Sequence, residues 1–134
     1  VITTDFRVVA PYLYDKTGLV SVPSHTAYIG RIGRDGKILA GIAFHDYIAG
    51  RVASVTLACE EYGLGKELLR FGFRYAFRQL GVRRLTSTID SGNSKSLHLT
   101  QRLGFEVEAT LKGAGKTGDL ICLALWKDNC RFIK

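Results

Sequence analysis

The chain has 134 residues, is 46% apolar and 23% charged, and carries a formal charge of +7. That balance can bury a core, which excludes a disordered segment, and the longest apolar run, Leu120–Trp126, is far too short to cross a membrane. The cysteines are three, Cys59, Cys122 and Cys130, with no C-x-x-C pair and no Cys/His ligand spacing, which excludes a disulfide framework and a zinc site and reads as reduced thiols. Residues 1–10 carry charges and lack the apolar region of a signal peptide. The expectation is a single domain over 1–134 in the cytoplasm, with no membrane partner. The excess positive charge attracts anions, and a polyanionic small molecule, RNA or an acidic protein all satisfy it.

In chain order, residues 5–10 read as a strand and 11–24 as a short helix or loop. Residues 27–34 and 37–45 read as a hairpin turning at Asp35-Gly36. Residues 51–59 give a third strand. One face carries Ala53, Val55, Leu57 and Cys59; the other, Val52, Ser54, Thr56 and Ala58, is mixed, as suits a position beside a polar ligand. Residues 64–80 form the clearest helix: Leu64, Leu68, Phe71 and Tyr75 make a stripe, widened by Leu69, Ala76 and Leu80, and Gly81 ends it. Residues 84–90 are a β-branched strand. Asn93 caps a second helix through Leu103, which Gly104 stops, and 105–112 and 120–126 close the chain as an antiparallel pair. A helical crossover makes strands 51–59 and 84–90 parallel, while the hairpins make the rest antiparallel. The expected class is α/β or α+β: a mixed, mostly antiparallel sheet with helices packed on it.

The segment Glu60-Glu61-Tyr62-Gly63-Leu64-Gly65 joins a strand end to a helix start. The first N–H groups of a helix have no partners inside it and carry a partial positive charge. Glycines let an anion approach that backbone with no Cβ in the way, so a pyrophosphate is the expected occupant. An ordinary tight turn with two glycines is the competing reading of G-x-G alone.

The order of elements, Gly63 and Gly65 after the strand, and the stretch Asn93-Ser94-Lys95-Ser96 followed by Leu103-Gly104-Phe105 together resemble the GNAT acetyltransferase family. Tyr75-Ala76-Phe77 and Leu80-Gly81-Val82 resemble its RimJ/RimL branch and small phage GNAT domains. The resemblance covers residues 27–126 and implies N-acetyl transfer from acetyl coenzyme A to an amine by direct attack, without a metal. It implies a parallel strand pair that splays apart around the pantetheine arm. The backbone of Leu57, Ala58 and Cys59 would pair with that arm, and Tyr62, Gly63, Leu64, Gly65, Lys66, Asn93 and Ser96 would complete the coenzyme site.

The chain also departs from that pattern. Glu60 stands where the family has Arg or Gln, so its carboxylate is expected to point away from the pyrophosphate, with Lys66 and Arg70 offsetting its charge. Residues 52–59 hold no acid to serve as the general base, and Thr100 occupies the position of the family's acid tyrosine. His45, Asp46 and Ser96 are therefore the candidate catalytic residues: an imidazole at a strand end can accept the amine proton, although a surface histidine reads the same way. Ser96 reads equally as a plain helix serine. Lys66, Arg70, Arg74 and Arg78 recur every four residues and read as a solvated face, or with Arg83 and Arg84 as a patch for RNA or a 3′-phosphate; no aromatic platform interleaves them. Trp126 reads as core or as a homodimer interface. The acceptor is open among a protein N-terminus, a lysine and a small amine. A coenzyme- or partner-binding module without catalysis and a basic RNA-binding protein are the rival readings.

Overall fold

Alternating apolar residues between Ala27 and Cys59 build three long antiparallel strands. In the computed structural model, which describes residues 1–20 and 23–134, these are β2 (Ala27–Ile32), β3 (Ile38–Ile48) and β4 (Val52–Cys59), preceded by a short edge strand β1 (Ile2–Thr3). The β2–β3 turn uses Gly36 at φ 81°, and the Asp35 carboxylate accepts from the Lys37 N–H at 3.0 Å. Helix α2 (Lys66–Arg74) runs on as a π-helical turn over Tyr75–Gln79 and crosses to β5 (Arg84–Asp90). Helix α3 (Ser94–Arg102), β6 (Glu106–Leu111) and β7 (Leu120–Trp126) follow. Among the described residues seven strands lie in the order β1-β2-β3-β4-β5-β7-β6. The parallel pair is β4–β5, as the crossover requires, and the class is the expected mixed sheet.

That parallel pair is short. It holds only Val52 with Arg84, Ala53 with Leu85 and Ser54 with Thr86. Beyond these the strands part, while β4 stays paired to β3 as far as Cys59 and β5 stays paired to β7 as far as Asp90.

The N-terminal expectation needs correction. Residues 5–10 are not a strand; helix α1 spans Phe6–Thr17 with Pro11 inside it. The part of the 11–24 reading that falls on residues 21 and 22 lies outside the described residues. Asp5 caps α1 by accepting from the Arg7 N–H at 3.0 Å, and Gly18 at φ 76° ends it. The helix is seated on two glycines, Gly30 and Gly41, which pair directly across β2 and β3. A Cβ on Gly30 would come within 2.8 Å of the Val9 side chain, and one on Gly41 would press on Val9 and Leu13. Val9 and Leu13 are thereby fully buried with Tyr28 and Ala43 on this face of the sheet.

On the other face, α2 covers the larger core. Its buried row is Leu68, Leu69, Gly72 and Phe73, extended by Ala76 and Phe77. The expected stripe is therefore displaced: Phe71 is 44% exposed and lies beside the basic residues, while Phe73 and Phe77 fill the core. Leu68 and Leu69 begin two parallel i, i+4 rows that both face the sheet, and the stripe through Phe71 cuts across them. Phe77→Ala should cost roughly 3–5 kcal/mol in urea unfolding, whereas Phe71→Ala should stay within about 0.5 kcal/mol.

Candidate active site

Where β4 and β5 part, the sheet opens into a cleft of about 540 Å³. Val55, Thr56 and Leu57 form one wall, Ser87, Thr88, Ile89 and Asp90 the other, and Asn93, Ser96 and Thr100 of α3 close one side. Strand edges that face each other without pairing leave backbone N–H and C=O groups free to bind an extended ligand. Lys16 and Lys116 stand in the lining, and Lys95 is close enough for its charge to be felt at both Cys59 and Glu60. An extended, amide-bearing polyanion fits this chemistry.

At the Cys59 end the chain turns through residues 60–65 into α2. The Gly63 N–H donates to the Glu60 carbonyl at 2.8 Å, and Tyr62 takes φ 60° with its ring in solvent. Gly63 is buried, and a Cβ there would collide with the Leu39 carbonyl, so the glycine is needed for packing as well as for any ligand. Gly65 sits at φ 70°, a conformation that favours glycine. Leu64 packs on the core. The Glu60 carboxylate points away from the loop, as expected. It accepts from the Tyr12 hydroxyl at 2.5 Å and lies 3.4 Å from the Lys16 ammonium. That bond from Tyr12 holds the Glu60 carboxyl below its usual range, while burial, aided by Glu60, pushes the Tyr12 hydroxyl up. Lys66 lines a separate groove on the outer side of α2 with Arg70, Phe71, Arg74 and Arg78. Aromatic surface does therefore interleave the basic row, contrary to expectation.

His45 stands between two openings. It lines the β4–β5 cleft and also a second cleft of about 830 Å³, whose walls include Ser24, His25, Asp46, Tyr47 and Tyr75. A bulge in β3 between His45 and Ile48, with Asp46 at φ 49°, turns the two side chains toward each other. Nδ1 of His45 lies 2.9 Å from the Asp46 carboxylate, and Nε2 lies 2.8 Å from the Thr56 hydroxyl. With the proton on Nδ1 donated to Asp46, Nε2 accepts from Thr56. The His45 side chain is only 16% exposed and that of Asp46 80%, so this hydrogen bond orients the ring more than it stabilises the fold. Thr56 was legible only as one polar residue on a mixed strand face; its contact with His45 depends on the register that sets His45 opposite Ser54.

Leu57, Asn93, Ser96 and His45 thus meet in one cleft. Residues 60–65 stand at its end, and Asp46 lies on the far side of the histidine. Asn93 caps α3 by accepting from the Ser96 N–H at 3.1 Å. Asn93→Ala should cost about 1 kcal/mol in thermal or urea unfolding, and any added rise in the KM for the donor would show a second role in the cleft. The Cys59 thiol is pushed up by burial, which suits a packed side chain rather than a nucleophile. Among the described residues no group of His, Cys, Asp and Glu is placed to hold a metal ion.

Asp90 fixes the far wall. Its carboxylate accepts from the Thr117 hydroxyl at 2.5 Å, the Thr117 N–H at 3.0 Å and the Gly92 N–H at 3.0 Å, tying the end of β5 to the β6–β7 loop. These bonds, the Thr117 hydroxyl first, lower its pKa from 3.8 to about 2. A depressed carboxylate stabilises the fold fully above its unfolded value and loses that contribution as pH falls through the folded one. Melting temperature should therefore drop between about pH 4 and pH 2 more steeply in the parent than in Asp90→Asn.

The family profile described as "Acetyltransferase (GNAT) domain" matches residues 19–106. Among curated proteins no sequence matches. Among solved structures, the spermidine N-acetyltransferase from Vibrio cholerae in complex with CoA and spermine superimposes with a TM-score of 0.68 at 15% identity, over 93% of this chain and 76% of that one. A chimera of the Vibrio cholerae enzyme SpeG and hSSAT gives a TM-score of 0.74 at 12% identity, over 96% and 95%. The ribosomal-protein-S5-alanine acetyltransferase from Vibrio fischeri gives 0.66 at 16% identity, over 93% and 71%. At these identities the likeness is one of fold.

Proposed function

The chain belongs to the GNAT acetyltransferase family and is an acetyl-CoA-dependent N-acetyltransferase, and we propose that the amine it acetylates is an α-amine at the start of a peptide or protein. The observation that carries this reading is the hydrogen-bonded series Asp46–His45–Thr56 in the wall between the two clefts. The donor, when bound, supplies an activated thioester. The unpaired backbone of 55–59 would hold its arm, residues 61–66 its pyrophosphate, and an N–H near Leu57 or Ala58 would polarise its carbonyl. Positioning of this kind supplies roughly 7–11 kcal/mol in favourable cases.

Proton removal then decides the acceptor. An α-amine with a pKa near 7.8 is about one-seventh neutral at pH 7, while a lysine at 10.4 is neutral in roughly one molecule in 2,500. β4 offers no carboxylate, so the site suits the amine that needs the least help. The Thr56 hydroxyl takes the proton from the amine and passes its own to His45 Nε2, with Asp46 holding the ring. Ser96 lies in the same cleft, where its hydroxyl can meet the donor arm or the leaving thiolate. A polyamine fits less well, because among the described residues the acceptor-side cleft offers one carboxylate, Asp46, and the chain carries +7. The three free thiols support the cytoplasm as its compartment. Among the described residues no helix is long and apolar enough to cross a membrane.

Release of free thiol from acetyl coenzyme A with three acceptors tests this: a peptide with a free N-terminus, the same peptide N-blocked with one lysine, and spermidine. The first should react fastest at pH 7; faster turnover of spermidine or the lysine peptide would overturn the α-amine reading. His45→Gln and Thr56→Val should each lower kcat about 10- to 100-fold at pH 7 with donor affinity unchanged. The deficit should shrink as pH rises past 8 and the amine loses its proton unaided. Unchanged pH–rate profiles in both variants would remove the relay.

A further inference from the structure

We propose that Arg31, on a strand distant in sequence from the glycine loop, is the positioning residue that shapes the loop for pyrophosphate and supplies the cation that Glu60 does not. The proposal rests on the acetyl coenzyme A reading above.

The register places it. Arg31 pairs with Ala40 across β2–β3, and Ala40 pairs with Cys59 across β3–β4, so the three side chains share one face. Ala40 is small and fully buried, which leaves the Arg31 stem a path over it. Two strand spacings, roughly 10 Å, bring the guanidinium to the loop that follows Cys59. There Nη1 donates to the Gly63 carbonyl at 2.8 Å, with the Tyr62 carbonyl at 3.5 Å.

This contact has a consequence for the backbone. In a trans peptide the C=O and N–H point opposite ways. A Gly63 carbonyl held inward by Arg31 therefore turns the Leu64 N–H outward, toward a ligand at the start of α2. Tyr62, in the left-handed region at φ 60°, persists only if its surroundings over-determine it. Arg31 is one such constraint, together with the Gly63 N–H bond to Glu60. Gly65 completes the arrangement: a Cβ there would lie 3.2 Å from Cζ and Nη1 of Arg31. With no side chain at Gly65 the guanidinium lies against the loop without having to shift. Its charge then sits beneath the strand-to-helix junction, while the carboxylate at the motif position, Glu60, is drawn off by Tyr12 and Lys16.

The test compares two ligands by calorimetry: coenzyme A, and pantetheine, which occupies the cleft but lacks the pyrophosphate. Arg31→Met should weaken coenzyme A roughly 10- to 100-fold and leave pantetheine unchanged, with kcat at saturating acetyl coenzyme A retained. Arg31→Lys, which keeps the charge but replaces the planar guanidinium that donates through Nη1 with a shorter ammonium, should show a smaller loss confined to coenzyme A. If the Met variant does not fold, selectivity in the Lys variant decides. Equal losses for both ligands, or no loss for either, would overturn the proposal. A parent chain that binds pantetheine no more weakly than coenzyme A would instead remove the pyrophosphate site itself, and Arg31's role with it.

Discussion

Everything the site does follows from the β4–β5 pair stopping after Ser54 and Thr86. Two strands that continue side by side through a sheet leave no room between them. Two that part while each keeps its outer neighbour create a slot walled by backbone. Here β3 holds β4 to its end and β7 holds β5 to its end, so the divergence belongs to the fold and is not fraying. The Asp90 latch on the β6–β7 loop stiffens one lip, and the turn from Glu60 into α2 stiffens the other. The side chains proposed to move the proton are then placed by strand register: Thr56 on the lip of the slot and His45 one strand back, at a bulge that faces both clefts.

Charge is organised by the same logic. A carboxylate at position 60 next to the proposed phosphate site is unfavourable unless something removes it. Helix α1 does so, through Tyr12 and Lys16. An element that covers the smaller core thus also sets the electrostatics of the loop. The net +7 then acts as a general attraction for an anionic donor and disfavours a polycationic acceptor.

The strands from Ala27 onward, the crossover and both helices after Cys59 were legible because periodicity, glycines and Asn93 all agreed. So were the splayed cleft and the withdrawal of Glu60, through the resemblance. α1 was not, because only Val9 and Leu13 of its twelve residues are buried and Pro11 interrupts the pattern. What makes it a helix is its seat on Gly30 and Gly41, a tertiary fact. The α2 face was misassigned because Phe71 is as apolar as Phe73, and only the sheet decides which row it meets. Thr56 and Arg31 escaped notice for one reason: their partners are set by cross-strand register, which no local window contains.

The divided sheet also makes the chain a poor judge of its own stability. Backbone groups along 55–59 and 87–90 that face the slot exchange hydrogen bonds with solvent until an amide-bearing arm lies between them. A ligand that binds only the folded state adds RT ln(1 + [L]/Kd), about 2.7 kcal/mol at a hundredfold excess over Kd. For a chain of this size that is a large share of the ordinary margin against unfolding. In the proposed binding mode the donor would be both a reactant and the strand that completes the sheet, and the lifetime of the folded enzyme should track the supply of acetyl coenzyme A.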